Sequence, residues 1–345
     1  MTDLATPATE TVAPATPAPR GGSGSAWVKW LGRRLGLALL TLWLCSVLVF
    51  FATAALGDPV RAILGKDFAA SPERAAALAA QLHLDQPVIV RYFDWLGGLL
   101  TGNLGTSIAN GLPVGELVGD RIINSAVLVL ASAIVMIPVA FGLAMISANY
   151  RGKRTDGVIQ VVMITLAGLP EFVVGILLVA LFSTTVFHVL PAVTIAGGGA
   201  PPWSNPASMI LPVLTLVIVV TPYVSRIVRS SLLEVLDSDY VELARLKGVP
   251  EKVVMRKHAL LNAIVPGIQV IALQMAWLAG GVVVVESVFN YPGIGKQLVD
   301  SVNAHDVPMV QALAMIIAAV YVGVNLVADL VSILLTPRAR TAISS

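Results

Sequence analysis

Charge is what this chain has least of. Asp, Glu, Lys and Arg make up 12% of 345 residues, against roughly 25% in an ordinary soluble domain. A net charge of +2, with the basic residues dispersed, excludes the basic footprint of a nucleic-acid-binding protein. The single cysteine, Cys45, lies inside an apolar run. That excludes a disulfide framework or a cysteine-rich metal site within the chain, and the four histidines (His83, His188, His258, His305) are scattered. Neither H-E-x-x-H nor G-x-S-x-G occurs, so no familiar hydrolytic constellation is present. Nothing points to catalysis, to a bound cofactor or to a metal.

What is present is apolar length. The chain is 57% hydrophobic with a mean hydropathy of +0.85, which implies an all-α polytopic membrane protein. Six stretches reach the roughly 20 residues that cross a bilayer: Leu35 to Leu56, Asn124 to Ala148, Val158 to about Val186, Met209 to Val228, Val265 to Val285 and Val310 to Leu335. Arg33-Arg34 before the first resembles a twin-arginine export signal, but the run is long enough to span and no small-residue cleavage site follows. The third is interrupted by Pro170, which predicts a kink. Residues 1–25, rich in Thr, Pro, Ala, Gly and Ser, contain little to bury and read as a disordered tail. Residues 26–345 then form the membrane domain. Within it, 57–120 is of mixed polarity and reads as an extramembrane subdomain, with Ser71-Pro72-Glu73 opening an Ala-rich helix. Residues 188–206 carry no charged side chain and contain Gly197-Gly198-Gly199 and Pro201-Pro202, either a surface connection or a short re-entrant piece.

Six spans leave both termini on one side. Placing them in the cytoplasm puts 16 Lys and Arg inside and 6 outside, a bias that the positive-inside rule favours. The same choice puts 57–120 outside and a charged stretch between the fourth and fifth spans, 229–262, inside.

The heart of that stretch is DYVELARLKGVPEKVVMRKHALLN, Asp239 to Asn262. Asp239 is placed to cap a helix with Glu242 reaching back, Gly248 to end it left-handed, and Pro250 to open a second helix. Tyr240, Leu243, Ala244 and Lys247 follow helical spacing. One face is thus suited to dock on a partner, and the same pattern also fits a solvated amphipathic loop.

The stretch resembles the EAA loop of permease subunits of ATP-binding-cassette (ABC) importers, with Glu242-Leu243-Ala244 in the E-A-A place and Gly248 six residues after Glu242. Lys257-His258-Ala259-Leu260-Leu261-Asn262-Ala263 replaces the general I-x-L-P continuation and is similar to the R-H-A-L-R-N-A of the dipeptide and oligopeptide branch. Two further motifs occur in the order of that branch. Gly102-Asn103-Leu104-Gly105-Thr106-Ser107 is similar to its G-D-L-G-T-S, and Glu286 to Gly295, ESVFNYPGIG, to its E-T-V-F-x-x-P-G-L-G. Gly293-Ile294-Gly295-Lys296 also resembles a phosphate-binding loop, but a Walker A sequence needs glycine where Asn290 stands.

The resemblance implies half of a transport pathway for di- or oligopeptides in the cytoplasmic membrane of a bacterium or archaeon. It brings a second homologous permease, two ABC ATPase subunits and an extracytoplasmic substrate-binding protein as partners. It also makes Asp239, Glu242, Ala244, Gly248 and His258 an ATPase-coupling element, and Glu286, Pro292 and Gly293 an outer loop near the mouth of the pathway. Glu171, beside Pro170, is a carboxylate at membrane depth and must face protein or a water-filled path. Related permeases handle nickel chelates, glutathione or sugars, so those remain alternatives. An ion-coupled secondary transporter would use Glu171 and Asp329, and a non-transporting scaffold or receptor is a third class.

Overall fold

The computed structural model describes residues 23–55, 86–194, 200–255 and 260–335, with isolated positions at 60, 72, 73, 76 and 79. Of the tail expected over 1–25, residues 1–22 lie outside the described residues and 23–25 begin a helix; most of the Ala-rich helix after Ser71, the triple glycine at 197–199 and the coupling residue His258 also lie outside them.

The described residues are almost entirely helical. In chain order they are α1 (Ser23–Ala55), α2 (Val88–Leu100), α3 (Val114–Asn149), α4 (Arg154–Ala167), α5 (Glu171–Val179), α6 (Pro206–Leu236), α7 (Asp239–Leu246), α8 (Glu251–Val253), α9 (Leu260–Val288), α10 (Ile294–Asn303) and α11 (Val307–Leu335). Among the described residues four helices are long and apolar enough to cross a membrane: α1, α3, α6 and α11. Two more crossings arise if each bent pair is one span, α4 with α5 and its π-helical continuation, and the two halves of α9. The chain is therefore an all-α, multi-pass membrane protein.

In lipid there is no water to drive helices together, so close packing has to hold them. The helix at the centre is α6, whose most apolar window is 67% buried, whereas that of α1 is 11% buried. Leu216, Val220, Val224, Val228 and Leu232 follow one another every four residues along α6 and are all buried. Opposite them α3 presents Ala140, Ala144 and Ala148, also buried and four apart. Small side chains at that spacing let two backbones approach closely. At the opposite rim, α1 packs chiefly on α11, through Gln311 Nε2 to Thr53 Oγ1 at 2.8 Å and an Arg34–Asp329 ion pair at 2.8 Å.

Pro170 does more than kink its helix. The chain leaves the helical path at Gly168 to Pro170, and the two halves diverge by 102°. Proline has no N–H to donate and disfavours helical geometry at the residue before it, here Leu169. Asp156 in α4 lies beside Ser147 and Arg229 at the end of the bundle that carries α7. Thr194, beyond α5, donates its N–H to Phe289 O at the other end. The chain from Asp156 to Thr194, which includes the broken pair, thus leads from one end of the bundle to the other.

Candidate functional site

The charged stretch folds as a helical elbow, with one correction to its expected start. Ser238, not Asp239, is the N-cap of α7, and its hydroxyl donates to Val235 O at 2.5 Å instead of capping. Asp239 falls on the first helical turn with Glu242, where both carboxylates favour the positive end of the helix dipole.

The end of α7 is as expected. Gly248 has φ +80°, and its N–H bonds Arg245 O at 2.9 Å while Val249 N–H bonds Ala244 O at 3.2 Å. Those two bonds are the Schellman arrangement that closes a helix through a left-handed residue. Pro250 then stands just before α8.

Arg245, which the sequence pattern did not single out, ties the elbow together. Its Nη2 and Nε reach Glu251 Oε1 and Oε2 at 2.8 and 3.1 Å, and its Nη1 donates to Leu236 O at 3.2 Å. Hydrogen bonding to Arg245 holds the Glu251 carboxyl below its usual range. Beneath the elbow, Val241 is completely buried and packs into the main core with Leu232, Val254 and Met255. On the outward side Tyr240, Leu243 and Leu246 are exposed, Leu246 at 78%. Asp239, Glu242 and Gly248 are exposed beside them, and Ala244 is half-buried. One rigid surface therefore carries an apolar stripe edged with charge.

The base of the elbow is braced against two other helices. Arg151 Nη1 meets both oxygens of Asp237 at 2.7 and 2.8 Å. Deeper, Arg229 of α6 holds Asp156 of α4 through Nη2 at 2.7 Å and Nε at 3.1 Å. Ser147 of α3 donates to Asp156 Oδ1 at 2.5 Å and accepts from Gln160.

At the far end a second assembly forms around Glu286, which is fully buried. Its Oε1 accepts from Ser125 Oγ at 2.5 Å, and its Oε2 from Gly295 N–H and Lys296 N–H at 2.7 and 3.1 Å. These amides open α10, so the carboxylate sits at a helix N-terminus, where anions are favoured. Gly293 crosses over it so closely that an added Cβ would lie 2.0 Å from Oε1. Asn124 clasps the same turn, donating to Pro292 O at 2.8 Å and accepting from the Tyr291 hydroxyl at 2.9 Å. Burial, reinforced by Glu286, pushes the Tyr291 phenol up, so it stays a donor. Of the three residues expected here, Pro292 borders open space, a cavity of about 560 Å³ shared with Glu116, Asp120, Arg121 and Trp203. The loop at 102–107 docks nearby: Asp306, just before α11, accepts from the Ser107 hydroxyl and from Ile108 N–H at 3.1 Å.

Glu171 stands apart from both assemblies. It opens α5 at the break and lines a cavity of about 440 Å³ with Pro170, Phe172, Tyr223, Gln274 and Trp277. The expected residues thus fall at three places: the elbow, the buried clamp around Glu286, and this cavity.

Comparison with known proteins matches all three regions. Residues 140–341 fit the family model described as the inner membrane component of binding-protein-dependent transport systems, and residues 27–140 fit its N-terminal companion. The chain is similar to the glutathione transport system permease protein GsiC of Salmonella choleraesuis strain SC-B67, at 38% identity over 90% of this chain and 98% of that one. The Escherichia coli K12 protein of the same name is 34% identical over 89% and 97%. With helices that span a membrane and matches that run almost the length of both chains, the protein belongs to the inner-membrane components of binding-protein-dependent transport systems, the non-catalytic permease subunits of ABC importers.

Proposed function

We propose that this chain forms half of a pathway that imports glutathione or a closely similar short peptide, driven by ATPase subunits that dock on the elbow. The substrate reading rests on the relatives, whose names specify glutathione. It favours glutathione, which stood among the alternatives, over the main expectation of di- and oligopeptides. A second permease completes the pathway, two ATPases drive it, and an extracytoplasmic protein delivers the substrate.

The coupling reading is carried by one observation: the elbow is rigid on its inner side and apolar on its outer side. Val241 anchors it to the core while Leu243 and Leu246 stay exposed, the pattern of a helix that expects a groove. On this account the chain crosses the membrane six times, each bent pair counting once, with the elbow and both termini in the cytoplasm. The clamp of Glu286, Pro292 and Gly293 then borders the outer mouth and fixes the position of α10 there.

The test is uptake by proteoliposomes carrying the whole importer. Glutathione should be taken up with ATP inside and the binding protein outside, and dipeptides or a nickel chelate at the same concentration should pass at a tenth of that rate or less. Equal or faster uptake of dipeptides would restore the broader peptide reading. Uptake that persists without ATP and follows an ion gradient would end the importer reading altogether.

A further inference from the structure

We propose that Glu171 is the anionic half of a subsite for the primary ammonium group of the peptide in transit, with the rings of Trp277 and Tyr223 as its aromatic half. This rests on the import of a small peptide argued above, and it assigns a part of the pathway to one end of that peptide.

Four observations meet at this place. First, Glu171 Oε2 is buried, and among the described residues it is one of three buried side-chain nitrogen or oxygen atoms without a hydrogen-bond partner. A carboxylate oxygen withdrawn from water and left unpaired is costly, and a ligand that brings a donor recovers that cost. Second, Glu171 lines a cavity of about 440 Å³, within the range of roughly 300 to 1,000 Å³ that small-molecule sites occupy. Third, among the described residues Glu171 is the single charged one on that lining, whose other polar side-chain groups are the Tyr223 hydroxyl, the Gln274 amide and the Trp277 indole N–H. Arg226 is near but lies over the Tyr223 ring, 6.0 Å from its centroid, and does not line the cavity. Fourth, Trp277 and Tyr223 are both exposed, at 43% and 41%. Both line the same cavity, and an aromatic face attracts an ammonium placed over it.

The break at Gly168 to Pro170 is what builds the subsite. A continuous helix would bond the carbonyls at the end of α4 internally. Here Gly168 and Leu169 close only the tighter bonds to Thr165 and Leu166, and the Ala167 carbonyl faces the Tyr223 hydroxyl at 3.5 Å. Ala167 and Glu171 thus border the same space, where a carbonyl and a carboxylate are both acceptors for a cationic donor. A peptide's ammonium fits these groups, and its N-acetylated form offers no charge to them.

The test compares glutathione with N-acetylglutathione, and trialanine with N-acetyltrialanine, in proteoliposomes of the complete importer. Binding protein and ATPases are identical throughout, so a changed preference belongs to the permease. Glu171→Gln should raise the concentration for half-maximal uptake of the free peptides at least fivefold and leave the acetylated ones within twofold. Glu171→Asp should stay within threefold of wild type for all. If the acetylated peptides enter through neither protein, the free peptides decide: a rise in half-saturation restored by Asp supports the subsite, and a fall in maximal rate alone overturns it. Equal losses for free and acetylated peptides, or no change for either, would make Glu171 structural. Failure of glutathione with success of trialanine would refute the glutathione reading and leave the subsite to be judged on trialanine; wild-type uptake of neither free peptide would refute both.

Discussion

Arg229 and Asp156, 73 residues apart in sequence, form a two-point ion pair with Nη2 to Oδ2 at 2.7 Å and Nε to Oδ1 at 3.1 Å. Their side chains are 20% and 9% exposed, so water screens the pair weakly. The pair joins α6, which leads into the elbow, to α4, which leads to the break before Glu171. The pair therefore ties the helix that leads into the elbow directly to the first half of the broken pair.

That link gives the first prediction. Removing one partner leaves the other charge buried and uncompensated, a loss of about 3 to 5 kcal/mol. Asp156→Ala and Arg229→Ala should each lower the midpoint of thermal unfolding in detergent. The double change should cost clearly less than the sum of the two, and additive losses would mean that the two side chains act independently.

The clamp around Glu286 gives the second. A methyl group at Gly293 would overlap the carboxylate, which three hydrogen bonds hold in place. Overpacking of that kind costs about 1 to 3 kcal/mol. Gly293→Ala should reduce thermal stability, and Gly293→Ala with Glu286→Ala should recover part of it by removing the obstruction. No difference between single and double variants would show that the close approach is not what destabilises.

Topology supplies the third. With Cys45 replaced, a cysteine at Ala109 should react with an impermeant thiol reagent in intact cells, and one at Thr155, beside the elbow, only after the cells are opened. Both positions are exposed. Reversed labelling would place the elbow outside and remove any access to cytoplasmic ATPases.

Much of this arrangement was legible in the sequence, for identifiable reasons. Six apolar stretches stand out because a bilayer demands length, and Gly248 stood out because a left-handed helix end calls for glycine. The boundary at Asp239 was misplaced by one residue, since Ser238 and Asp239 are both good capping residues and only backbone geometry separates them. The depth of the break at Pro170 was missed because a proline in a span signals a bend without fixing its angle. Arg245, the Asp156–Arg229 pair and the Ser107–Asp306 contact were not seen. The last joins residues 199 positions apart, and one sequence carries no signal for such pairs.

The central claim is that the elbow couples this permease to its ATPases, and Gly248→Val tests it most directly. Valine in a left-handed conformation costs about 1 to 2 kcal/mol, and among the described residues no atom beyond its two chain neighbours lies within 4 Å of the added Cβ. The measurement is ATPase co-purification from detergent together with substrate-stimulated ATP hydrolysis in proteoliposomes, for wild type, Gly248→Val and Gly248→Asn. The account predicts that the valine protein inserts and pairs with its sister permease while both signals fall several-fold, and that asparagine, which tolerates the left-handed region, restores much of each. Wild-type values for a well-expressed Gly248→Val protein would contradict the coupling role and leave the stretch an ordinary solvated loop.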